Sequence, residues 1–322
     1  MSQTTVRQHF IWRSYLAPWT DDGSNTGTIS CLRNRKLFSV SLGKIAVEKY
    51  FYRTKELSAL EKKIIFEMTI KNTTGRQREV NQGWLDLYCA PFELVDDLIS
   101  GYHSLGYPIE KDHLQGIQEH KNMVTEHIEN YHCQLENKGM QYMKLLRQSD
   151  LSFWNTVECR NEFALFLCNQ YFRTKRMRDS ITMGFAKIVS EHREYDKLNP
   201  ENMWLPLSLI CASNLGEHIT YGYKAVLLQT EGSHFIVGDQ PVVNTYSTFD
   251  LDSPVKALEL YYPVTPHTAL LITTDSQYNA GQMMKIDAHE VMKYNQLEIR
   301  CAGDQVFAQE PVHLTGMKMP QA

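Results

Sequence analysis

The stretch Gly222-Tyr-Lys-Ala-Val-Leu-Leu-Gln-Thr230, with the turn Glu231-Gly232-Ser233 and the run His234-Phe-Ile-Val-Gly-Asp239 behind it, is where the chain changes period. Before it, apolar residues recur every three or four positions. From Lys224 on they form short apolar runs bounded by turn residues, which read as strands. After a loop the same pattern returns in Leu258-Glu-Leu-Tyr-Tyr-Pro-Val-Thr-Pro266 and in Thr268–Thr273. A last helix is expected from about Asp287 to Cys301, with Val291, Tyr294, Leu297 and Ile299 on its apolar side.

Working towards the N-terminus, helical patterns occupy roughly 79–99, 112–147, 151–172, 177–197 and 201–217, with Gly and Pro mostly at the joints. This block opens at Leu57, where Leu60, Ile64, Ile65 and Met68 follow Ser58 and Glu61, the spacing of a capping box. Ahead of it lie a candidate helical turn at Gln8–Leu16 and a loop at Pro18–Gly27. A hairpin follows, of Thr28–Arg33 and Lys36–Leu42 around Asn34-Arg35. The expected fold class is therefore α+β, a predominantly helical middle flanked by short strands from both ends. No flexible linker separates a β-rich N-terminal region (1–56), a helical region (57–220) and a C-terminal α/β region (221–322), so a single domain is expected over 1–322.

Composition narrows function. The 33 Lys+Arg and 37 Asp+Glu of the 322 residues leave a formal charge of −4, which argues against a strongly basic nucleic-acid coat or an acidic tail. No apolar run nears the roughly 20 residues that cross a bilayer, and the first residues carry no signal-type segment, so a cytoplasmic protein with no membrane partner is expected. Seven cysteines without a CxxC pair point to buried free thiols. Phosphate-binding glycine loops, nucleophile elbows, kinase motifs and recognisable nucleic-acid modules are missing.

Three segments carry candidate chemistry. In Gln8–Leu16, a helical conformation would set His9 and Arg13 one turn apart on one face, able to meet an anion; the competing account is an anchored terminus in which Phe10, Trp12 and Leu16 pack. In Phe163–Thr174, Gln170 and Arg173 are neighbours on a helix face and can grip phosphate or carboxylate. Alternatively Arg173 closes the helix and pairs with a core acid. In His234–Val242, Asp239 ends a strand before Pro241, placed to orient a histidine, to hold a metal or to make a local turn. His113, His120 and His127 repeat every seven residues, about 10 Å along a helix, too far for one ion. They, and the charged run Glu119–Gln148, read as a solvated or helix-pairing face. No dedicated metal motif occurs, although a divalent metal is compatible with Asp239.

These segments, with Val47-Glu48 and Phe51-Tyr52, resemble in order the bacterial DUF4238 family, a domain of unknown function. The matching residues are Gln8-His9, Arg13, Tyr15-Leu16, Val47-Glu48, Phe51-Tyr52, Gln170, Arg173-Thr174, Asp239 and Pro241-Val242, spread from about residue 8 to 300. Trp12, Lys175 and Gly238 stand where the family more often has proline, proline and serine. The resemblance implies that His9, Arg13, Gln170, Arg173 and Asp239 share one site, in a protein of accessory or defence-associated character.

Two functions follow as expectations. One is a hydrolase acting on a nucleotide or nucleic-acid phosphodiester, with His9 as general acid/base, Asp239 orienting it or holding a metal, and Arg13, Gln170 and Arg173 gripping phosphate. The other is a non-catalytic module, in which the same polar set holds an anionic ligand or knits the termini to the core, while the helical region 112–147 meets a protein partner.

Overall fold

The computed structural model describes residues 7–104, 111–248, 255–317 and 319. Among them are eight helices: α1 (Arg13–Leu16), α2 (Ala59–Thr69), α3 (Gly75–Ser104), α4 (Lys111–Arg147), α5 (Val157–Phe172), α6 (Lys175–Glu191), α7 (Pro200–Gly222) and α8 (Ala288–Cys301). The strands are β1 (Arg7–His9), β2 (Thr28–Arg33), β3 (Lys36–Ser41), β4 (Val47–Lys49), β5 (Lys224–Gln229), β6 (Val237–Gly238), β7 (Val243–Asn244), β8 (Leu260–Thr265), β9 (Thr268–Thr273), β10 (Met283–Lys285) and β11 (Gln305–Ala308). The protein is α+β, with its strands in the N- and C-terminal regions. The side chains of His113 and His120 lie outside the described residues.

The chain divides into two compact units, one of Met1–Gln8, Lys49–Gln134 and Ile181–Cys211, the other of His9–Glu48, Leu135–Ser180 and Ala212–Ala322. The helical middle is thus shared between them, and the composition changes near 56 and 220 do not mark the unit boundaries.

The first unit is helical. Ser58 accepts from the Glu61 amide at 3.3 Å and Glu61 accepts from the Ser58 amide at 2.7 Å, the reciprocal cap that starts α2. Glu61, 2% exposed, also accepts from Asn199 N–H at 3.2 Å and Asn202 Nδ2 at 3.0 Å, so one carboxylate serves the starts of both α2 and α7. Phe51 and Tyr52 pack on Trp204, and Tyr52 also meets His132. The Tyr52 amide donates to Gln8 Oε1 at 2.7 Å. Gln8 is therefore a backbone tie, and His127, half-buried against Tyr88, belongs to the packing rather than to a solvated stripe.

The second unit holds two sheets. One has the order β10-β5-β9-β8-β7, antiparallel except that β10 runs parallel to β5; the other has the order β3-β2-β11-β6 and is antiparallel. Helix α8, capped by Asp287 and Glu290, serves both. Val291, Leu297 and Cys301 enter the core of Val226, Leu228, Tyr261 and Leu271, while Ile299 and Ala302 pack with Leu32, Ile236, Val306 and Leu314. The β2–β3 hairpin turns on Asn34 and Arg35, both at positive φ, as a two-residue turn between twisted strands requires.

The run His234–Asp239 reads as a full strand, yet only Val237 and Gly238 pair in the ladder. Other groups take the earlier positions. Phe235 donates to the Pro266 carbonyl at 2.8 Å and accepts from Trp19 Nε1 at 2.8 Å, and the Ile236 amide donates to Asn295 Oδ1 at 3.1 Å.

Helix α5 buries Phe163, Phe166 and Leu167 completely, each worth about 1.5–3 kcal/mol. The adjoining stretch of α4 presents Gly139, where a Cβ would run into the Phe166 ring. Gly139→Ala is expected to lower stability by about 1–3 kcal/mol, measured by urea unfolding; an unchanged midpoint would show that Phe166 swings aside freely.

Candidate functional site

The polar groups of the second unit gather where α5 hands over to α6. Arg173 ends α5, its amide donating to the Asn169 carbonyl at 3.1 Å. Its guanidinium, 2% exposed, forms an ion pair with Glu136 of α4. Thr174 bonds Gln240, whose Nε2 donates to the Tyr171 carbonyl at 3.0 Å and the Val242 carbonyl at 2.8 Å. Lys175 pairs with Asp304. The helix junction is thus tied to two loops, one after β6 and one before β11. Gln170, 3% exposed and three residues before Arg173, keeps its Nε2 without a partner among the described residues.

Asp239, 1% exposed, follows β6 directly, at the strand's end as expected. Its Oδ1 accepts from the Gly303 amide at 2.6 Å, and its Oδ2 from the amides of Asp304 at 2.8 Å and Gln305 at 3.2 Å. Three amides at one carboxylate fix the turn that feeds β11. Burial pushes the Asp239 pKa up to about 6, against the downward pull of those amides. Gly238 beside it has a reason to be glycine. A Cβ there would stand 3.1 Å from the Glu298 carbonyl and 3.2 Å from Glu298 Oε2, the oxygen that accepts from the Gly238 amide at 2.7 Å. Burial raises the pKa of Glu298 well above the usual carboxylate range, and its Oε1 has no partner among the described residues.

The N-terminal motif differs from its helical expectation. His9 ends β1, Arg13 opens α1, and Trp12 between them is extended at φ −64° and ψ 124°. The two side chains therefore do not share a helix face, because the Phe10 amide is spent on the Ala46 carbonyl at 3.0 Å rather than on a helical turn. His9 is half-buried and Arg13 exposed. The rest of the motif is anchored: Trp12 meets Phe166 edge-on at 6.1 Å, Tyr15 stacks on Tyr262 at 4.8 Å, and the Tyr15 hydroxyl donates to the Pro263 carbonyl at 2.8 Å. Glu48, from the Val-Glu element, accepts Arg178 of α6 through both oxygens, at 2.6 and 3.3 Å.

Two further residues belong to this network. Arg147, at the end of α4, donates through Nη2 to the Ser14 carbonyl at 2.6 Å, while its Nε has no partner among the described residues. Burial lowers its pKa. Arg147 and Arg173 both act electrostatically on Tyr262, whose hydroxyl is buried without a partner among the described residues. Arg173 faces Glu136, whereas Arg147 faces no carboxylate ion-pair partner among the described residues. Glu136 and Arg147 lie inside the run that reads as a solvated face. Eleven residues apart, about three helical turns, they project from one side of α4, and that register is the available signal.

Arg173 is thus in an ion pair, Asp239 in a backbone clasp, and Gln170, Arg173 and Asp239 belong to elements that meet at the helix junction. Among the described residues no three His, Cys, Asp or Glu side chains are arranged to hold a metal ion, and no helix is long and apolar enough to cross a membrane. No curated protein and no solved structure matches the chain. Residues 7–311 match the family model described as protein of unknown function (DUF4238), and the chain belongs to that family.

Proposed function

We propose that the protein is a non-catalytic binding module for a small anionic ligand, phosphate-bearing by the chemistry of its donors, held in the second unit near Arg147, Arg173 and Tyr262. The observation that carries this reading is the uncompensated guanidinium of Arg147. A charge partly withdrawn from water carries a cost that an opposite charge would offset, and among the described residues Arg147, half-buried, has the Ser14 carbonyl as its hydrogen-bond partner and no carboxylate. An anion would supply the missing charge and give the Tyr262 hydroxyl and the Arg147 Nε an acceptor. Gln170 Nε2 is a further donor of the same kind on the neighbouring helix. The hydrolase reading asks Asp239 to orient His9 or to hold a metal, and both Asp239 oxygens already serve backbone amides.

Thermal unfolding with inorganic phosphate and with nucleoside mono- and triphosphates tests this. Saturating ligand at about 100 times its dissociation constant adds about 2.7 kcal/mol, a rise of several degrees. Arg147→Gln should fold and lose that rise. A full rise in Arg147→Gln would remove the proposed site. Turnover of nucleotide or nucleic acid that requires His9, with or without divalent metal, would replace the binding reading with the hydrolase.

A further inference from the structure

Away from that network, three histidines from distant stretches of the chain meet in the second unit. His234 precedes β6, His267 sits in the β8–β9 turn, and His313 lies in the short 3₁₀ turn Pro311–Leu314. The rings of His234 and His313 stack at 4.0 Å and 22°, and those of His234 and His267 lie at 4.6 Å and 55°. Face-to-face stacking does not converge the ring nitrogens on one point, in keeping with the absence of a metal-holding group among the described residues.

We propose that these three rings form an acid-sensitive clasp, which fastens the C-terminal segment Pro311–Met317 to the rest of this unit at neutral pH and loosens as the medium acidifies. Stacked neutral imidazoles attract, whereas imidazolium rings at these separations repel. Burial lowers the pKa of His234, and the neighbouring His313 and His267 lower it further; Glu310 is the one carboxylate that acts on it in the opposite sense among the described residues. Glu231, on the loop before His234, is already paired with Lys285 at 2.6 Å. Asn295, the α8 residue beside His234, is neutral and donates to its carbonyl at 2.9 Å. His313 Nδ1 is buried without a partner among the described residues.

What the clasp holds is apolar. Leu314, 1% exposed, packs with Leu32, Ile236, Val306 and Ala308, with Met317 against the same cluster. Thr315, Gly316 and Met317 form one wall of a groove whose other wall is Met292, Gln296, Ile299 and Arg300 of α8. Loosening the segment uncovers that wall. The sign is fixed by the direction of the shift. A His234 ring that is less basic in the clasped form than in the open one favours clasping above the ordinary histidine pKa of about 6.5, and that preference is lost as pH falls through it.

Amide hydrogen exchange at about pH 7.5 and about pH 5.5, expressed as protection relative to intrinsic rates, reads this directly. Protection over Val312–Met317 should fall by up to about tenfold, the limit for one ring whose ordinary pKa is about 6.5 read one unit below it, while β5 and β9 keep theirs. His234→Phe, which retains a stacking ring without a titrating nitrogen, should abolish most of the fall. If that variant does not fold, His267→Gln, at an exposed turn position, should shrink the fall instead. Unchanged protection at acid pH, an equal fall in either variant, or parallel loss in β5 and β9 would each overturn the clasp.

Discussion

Asp239→Ala is expected to destabilise the protein by about 3–5 kcal/mol, because it strips the acceptor from three amides at once and a buried donor left unsatisfied costs about 1–3 kcal/mol, towards the lower end where water can reach the loop. Asp239→Asn should cost less, since its remaining oxygen can serve the Gly303 amide or the Asp304 and Gln305 amides, but not both sides. The pH dependence separates charge from shape. A carboxyl at about 6 in the folded chain and near 3.9 when unfolded takes up a proton on folding between those values. Its contribution therefore falls as pH rises from about 4 to about 6, by up to about 3 kcal/mol, and is level above. Urea unfolding of wild type and Asp239→Asn across that window should show the difference between the two curves shrinking as pH rises. Parallel curves would mean that the three amides hold Asp239 ionised throughout.

Arg173→Leu is the second large effect. It leaves Glu136 without its cation in a site where the arginine is 2% exposed, and breaking a buried pair from one side costs about 3–5 kcal/mol. Arg173→Leu with Glu136→Leu removes both charges and should recover most of that loss, because an apolar pair of similar volume avoids the desolvation cost. A double variant no better than the single one would show that Arg173 works mainly through packing rather than through its charge.

What is legible in the sequence is what local rules determine. Ser58 with Glu61 announces a capping box three residues wide, and Asn34-Arg35 between two alternating runs announces a hairpin; each needs only its own neighbours. β10 and β11 escape such rules, because Met283–Lys285 and Gln305–Ala308 are strands only by virtue of partners supplied from far away. The shortness of β6 has the same origin, as Trp19 and Asn295 claim backbone groups that a ladder would have used. At the site, Asp239 is visible at its strand's end, but the amides that occupy it follow α8, more than sixty residues on. The pairing of His9 with Arg13 assumes a helix that the extended Trp12 interrupts. Arg173 with a core acid is one of the two open accounts, and Glu136 is that acid.

β11 lies between β2 and β6, and so in the interior of its sheet although more than 270 residues separate it from β2. On a ribosome adding about 5–20 residues per second, β2 waits on the order of 15–50 seconds after emerging before its second neighbour exists. During that interval one side of a strand with four buried positions offers unpaired amides and carbonyls, the template on which misassembly starts. The arrangement makes the arrival of Gln305–Ala308 the step that commits the sheet.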